Sequence, residues 1–121
     1  MMRLVAVLAL VFGVAGPAAA NGYEPIRDKS AFLSLIEGRS LQLKLFRISL
    51  SVLPDGRIDG SALGWPVTGS WYWKNGYFCR EMDWSGSPIP FNCQLVEAQG
   101  DDQIRFTVDQ GKGEAATFRL R

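Results

Sequence analysis

From Ser40 onward, apolar and polar residues alternate with a period of two. Leu41, Leu43 and Leu45 alternate with Gln42 and Lys44, and Phe46, Ile48, Leu50 and Val52 alternate with Arg47, Ser49 and Ser51. Alternation of this kind turns one face of a strand to a core and the other to solvent. The apolar parity flips between Leu45 and Phe46, so a bulge or sharp bend is expected there, as where a sheet curls or closes. Pro54-Asp55-Gly56 reads as a turn and residues 57–63 as a short, Gly-interrupted strand. Further strands are predicted at 68–73, 77–84, 92–97, 103–109 and 115–120, punctuated by turn-forming residues at 74–76, 85–90, 99–102 and 110–113. Upstream, Asp28 and Ser30 are candidate N-caps, Phe32, Leu33 and Ile36 fall at helical spacing, and Gly38 is a stop, which predicts a helix over about 29–37. Its apolar face is large for two turns, so it should lie against a sheet or plug the end of a barrel.

These elements define a mainly β fold: a small antiparallel meander closing into a barrel or half-barrel, with one short N-terminal helix. The 13 glycines supply turns and bends. No helix-length segment separates the strands, which argues against a parallel βαβ architecture.

Residues 1–20 follow a different pattern. A basic start at Arg3 leads into an apolar stretch over 4–14, then Gly16, Pro17 and Ala18-Ala19-Ala20. This reads as a Sec signal peptide cut near Ala20, leaving 21–121 as a single small β domain in the periplasm or outside the cell. The apolar run of about 11 residues is well short of the roughly 20 that a spanning helix needs, so a membrane anchor is the weaker account and the mature chain has no membrane span.

Charge and composition then narrow the chemistry. The chain carries 13 basic and 12 acidic side chains, and loss of Arg3 with the leader leaves 12 of each. A neutral protein lacks the concentration of cations that nucleic acid would require. With no histidine, Ser-His and Cys-His nucleophile pairs and His-ligated zinc or haem sites are excluded. The two cysteines, Cys79 and Cys93, are expected to form one disulfide in an oxidising compartment. The C-x-x-C spacing of a redox pair is missing, and two cysteines supply too few soft ligands for a metal site. No cofactor and no metal is expected.

The richest stretch is the aromatic hairpin around Asn75-Gly76. A two-residue type I′ turn there pairs Trp73 with Phe78, Tyr72 with Cys79, Trp71 with Arg80 and Ser70 with Glu81. Trp71, Trp73, Phe78, Arg80, Met82 and Trp84 then share one side, with Tyr72, Tyr77, Cys79, Glu81 and Asp83 on the other. A three-residue loop that also used Lys74 would shift the pairing by one. Trp71, Trp73, Arg80 and Trp84 are the ligand-binding candidates, as an aromatic platform beside a cation. The plainer account is that they fill the interior of a domain with little other core.

Other patterns carry less. Glu81 and Asp83 point the same way and could seat an acid/base pair, or form a solvated strand face. Asp55 and Asp59 lack the further ligands of a calcium loop. Gly111-Lys112-Gly113-Glu114-Ala115-Ala116 fits G-x-G-x-x-A, but too few residues follow it to build a dinucleotide-binding unit, so it reads as a hairpin turn.

From Leu53 onward the chain resembles a group of small exported β-rich proteins of alphaproteobacteria. The matching residues are Leu53-Pro54-Asp55-Gly56, Thr68-Gly69-Ser70-Trp71-Tyr72-Trp73, Gly76-Tyr77-Phe78-Cys79-Arg80, Asn92-Cys93-Gln94 and Arg105-Phe106-Thr107, with Gly111 and Phe118. The resemblance implies export and paired cysteines, and it supplies no catalytic residue. Members are sometimes labelled dihydrodipicolinate reductase. Enzymes of that name are about twice as long, nucleotide-binding and histidine-dependent, properties that this sequence lacks.

The functional expectation is a non-enzymatic binding or interaction module with an aromatic-lined face for a small apolar ligand or a periplasmic protein. An inhibitor of cell-wall lytic enzymes is one version of it, by analogy of fold alone. The alternative is a small carboxylate-dependent periplasmic enzyme built on Glu81 and Asp83.

Overall fold

The computed structural model describes residues 22–121; the expected leader and its cleavage point lie outside these. Nine strands and one two-turn helix follow in the order β1 (Glu24–Ile26), α1 (Lys29–Ile36), β2 (Leu41–Leu43), β3 (Ile48–Val52), β4 (Arg57–Ala62), β5 (Trp65–Lys74), β6 (Tyr77–Trp84), β7 (Ser87–Gln99), β8 (Gln103–Thr107) and β9 (Ala115–Leu120), with one further helical turn at Val108–Gly111 between β8 and β9. Strands β2 to β9 pair antiparallel in sequence order, and β9 returns to β2, so eight strands close a barrel. β1 adds to the far half of β7, with Glu24 opposite Ala98 and Ile26 opposite Val96.

The alternation of the sequence maps onto the wall. Leu50, Val52, Ile58, Val67, Trp71, Phe78, Val96, Ile104, Phe106 and Leu120 are buried in one core cluster. Helix α1 plugs one end. Asp28 caps it by accepting from the Ala31 N–H, and Phe32 and Ile36 are buried against the barrel. The Phe32 ring lies among Trp71, Trp73, Phe78 and Phe106. The opposite end carries the turns β2–β3, β4–β5, β6–β7 and β8–β9.

Three of the hairpins turn on two residues of positive φ, namely Leu63-Gly64, Asn75-Gly76 and Ser85-Gly86, the geometry of a type I′ turn. At Asn75-Gly76 the observed register pairs Trp73 with Phe78 and Trp71 with Arg80, the two-residue alternative. The Cys79–Cys93 disulfide joins directly opposed residues of β6 and β7, with S–S 2.07 Å.

Three features differ from the sequence expectation. The parity flip after Leu45 marks a complete chain reversal: a 3-10 turn at Leu45–Arg47, with positive φ at Phe46 and Arg47, separates β2 from β3 and sets Leu41 opposite Leu50. Residues 87–90, expected within a loop over 85–90, belong to the long strand β7. Its Ser87–Gln94 half pairs with β6 on one edge, while β8 pairs only from Leu95 onward. An edge without a sheet partner tolerates the missing N–H groups of Pro88 and Pro90. The third is β1, which no alternation announced. The Gly111-Lys112-Gly113 stretch lies in the β8–β9 turn, as expected.

Candidate functional site

The barrel is plugged at the α1 end and hollow toward the other. One cavity of ≈ 360 Å³ at this mouth is bounded by Phe46, Ile48, Leu50, Ala62, Leu63, Val67, Met82, Trp84, Ile89 and Phe118, all apolar. A second, of ≈ 280 Å³, shares Leu50, Met82 and Phe118 with it and reaches Arg80 and Gln94 on one side and Glu114 and Ala115 of the β8–β9 hairpin on the other. The shared residues make the two spaces neighbours within one interior. Apolar spaces of a few hundred Å³ with a few convergent polar groups are the usual form of small-molecule sites.

The hollow end has a local cause. The inward positions of β4 and β5 near the mouth are Gly60, Ala62, Val67 and Gly69, which are small, whereas the plugged end holds Phe32, Trp71, Phe78 and Phe106. Trp84 forms part of the mouth wall, and its ring is fixed by a 3.0 Å hydrogen bond from Nε1 to the Ala62 carbonyl. At the rim, Leu45, Phe46, Leu63 and Trp65 are exposed. The Leu63 N–H donates to the Phe46 carbonyl, tying the β2–β3 and β4–β5 turns together.

Arg80 points into the barrel and is 9 % exposed. Its Nη1 donates to the Pro90 carbonyl at 2.7 Å. Pro90 and Phe91 form a bulge opposite Glu81, between the Arg80–Asn92 and Met82–Ile89 pairs. Among the described residues no carboxylate lies within ion-pair distance of Arg80. Burial lowers its pKa from the usual arginine value, because desolvation penalises the charged form.

The structure therefore divides the four ligand-binding candidates. Arg80 and Trp84 line the cavities. Trp71 and Trp73 sit at the plugged end against Phe32, with their Nε1 groups donating to the Leu53 and Arg27 carbonyls. The three tryptophans do not form one platform. Gln94, Phe118 and the small residues of β4 were missed; Gln94 is 7 % exposed and faces the same cavity as Arg80. A polar residue in the inward parity of β7 was the available signal.

Of the remaining candidates, Glu81 is exposed on the outer face opposite Ser70, and Asp83 accepts a 2.7 Å hydrogen bond from the Gly86 N–H in the hairpin turn. Neither lines these cavities. Asp55 and Asp59 are both ion-paired to Arg57.

No protein-family model matches the chain, and no curated protein or solved structure matches it significantly.

Proposed function

We propose that this protein is an exported binding module whose barrel takes a small apolar ligand through the mouth opposite α1. The observation that carries this reading is the wholly apolar ≈ 360 Å³ space at the end of the barrel opposite α1. Binding there removes ligand and wall from water together, worth about 25 cal/mol per Å² of apolar surface before the costs of association. Export rests on the leader pattern over 1–20 and the resemblance to exported proteins. The disulfide is compatible with an oxidising compartment, and no described helix is long and apolar enough to cross a membrane.

The test uses the neutral dye N-phenyl-1-naphthylamine. Its emission should rise on binding and quench Trp84 by energy transfer, and Ala62→Phe, which fills the mouth, should abolish both while leaving the far-UV circular dichroism unchanged. Absence of dye binding by the wild-type protein, or unaltered binding by A62F, would overturn the reading. For export, intact mass of the protein from periplasm should begin at Asn21, and a retained leader would contradict it.

A further inference from the structure

Arg80 has five N–H donors, and one of them meets the Pro90 carbonyl. It lies more than nine-tenths buried in a mostly apolar interior. Removing a cation from water without a counter-charge is costly, and proteins normally pair such a group or leave it exposed. Here no described carboxylate pairs with it. The one carboxylate in this cavity's lining is Glu114, an exposed residue on the β8–β9 hairpin that makes no ion pair with Arg80.

A second polar side chain faces the same space. Gln94 is more than nine-tenths buried, and its side-chain amide makes no hydrogen bond with any described residue. It stands on β7 opposite Phe78, two positions along from Asn92, the partner of Arg80. Two donor-bearing groups on adjacent strands thus converge on one cavity, and the neighbouring space toward the mouth is apolar throughout. A guanidinium fork beside an amide N–H matches a planar carboxylate, whose two oxygens accept in parallel.

We infer that the ligand of this barrel is an anionic amphiphile, an alkyl carboxylate whose head group is held by Arg80 and Gln94 and whose tail occupies the apolar cavity beneath the mouth. This rests on the apolar-ligand reading above and adds the charge of the ligand and its orientation. The charge-assisted hydrogen bonds act at buried side chains, where they discriminate most strongly against a ligand that cannot make them.

Displacement of N-phenyl-1-naphthylamine by decanoate, decanol and decyltrimethylammonium tests this with matched tails. Decanoate should displace the dye at about 10–100-fold lower concentration than decanol, the range expected for hydrogen bonds to a charged group, and decyltrimethylammonium should do no better than decanol. Arg80→Met should bring decanoate to the level of decanol when both are compared at that variant's own dye affinity, and Gln94→Leu should reduce the preference several-fold. If the dye binds but decanoate and decanol compete equally, or if R80M keeps the preference, the inference is overturned while the apolar cup stands. If the dye does not bind the wild-type protein, both readings fall. Should R80M not fold, the three amphiphiles on the wild-type protein decide the matter alone.

Discussion

The Phe32 ring meets the Trp71 indole edge-on, with centroids 5.6 Å apart and planes at 70°. This contact helps to join the helix to the barrel wall, and Phe32 also lies 5.0 Å from Trp73 and 5.3 Å from Phe78. The side chain is fully buried. It converts an open cylinder into a cup with a floor, and it explains why two of the tryptophans are committed to packing.

Phe32→Ala should therefore cost about 3–5 kcal/mol of stability, the range for deleting a buried aromatic ring. Urea unfolding followed by tryptophan emission checks this. A loss under 1 kcal/mol would mean that α1 is only loosely seated.

The disulfide closes a loop of 14 residues in sequence separation, worth roughly 3 kcal/mol in the chain-entropy estimate. Cys79→Ala with Cys93→Ala should lower the urea midpoint without changing the fold, since the β6–β7 ladder continues on both sides of the pair. Intact mass with alkylation should find two thiols only after reduction. An unchanged midpoint in the double variant would contradict the stabilising role.

Much of this architecture is readable from local pattern. Asn75-Gly76 sets the register of β5 against β6, and the period-two run places Leu41, Leu50 and Val52 inside. What escapes is decided by non-local geometry. β1 is held through backbone pairing to Val96 and Ala98, so Glu24, Pro25 and Ile26 need no periodicity. Pro88 and Pro90 look like loop residues until one knows that their half of β7 has only one paired edge. The cavity is harder still, because it is the space that side chains leave over. Trp71 and Trp73 share a parity with Trp84, yet Phe32 claims the first two, and only closure of the barrel determines which remains beside the hollow.

Gly60 and Gly69 stand at inward positions of β4 and β5 where backbones approach closely. A Cβ on Gly69 would lie 2.5 Å from the Glu81 carbonyl and 2.7 Å from Met82 Cγ, and one on Gly60 would lie 2.9 Å from Leu50 Cα and closer still to the Ser49 carbonyl. Because the obstacles include backbone, Gly60→Ala and Gly69→Ala should each destabilise by about 1–3 kcal/mol as overpacking, despite the lower chain entropy of alanine when unfolded. Thermal unfolding checks both, and a stabilised variant would show that the strands can move apart.

Acid should weaken the fold through two exposed carboxylates. The Ser30 hydroxyl and then the Ala31 N–H hold Asp28 below its ordinary value of 3.8, and the Arg57 guanidinium and then the Arg57 N–H do the same for Asp55. Each carboxylate binds its proton less readily in the folded chain than in the unfolded one. Its contribution is therefore complete above the unfolded pKa and is lost as pH falls through 3.8 toward the lower folded value. The melting temperature should hold steady down to about pH 5 and decline below pH 4. In Asp28→Asn with Asp55→Asn the decline should be shallower, because two of the groups that take up protons on unfolding are gone. A melting temperature that rises on acidification, or an equal decline in the double variant, would show that these two carboxylates do not govern the acid response.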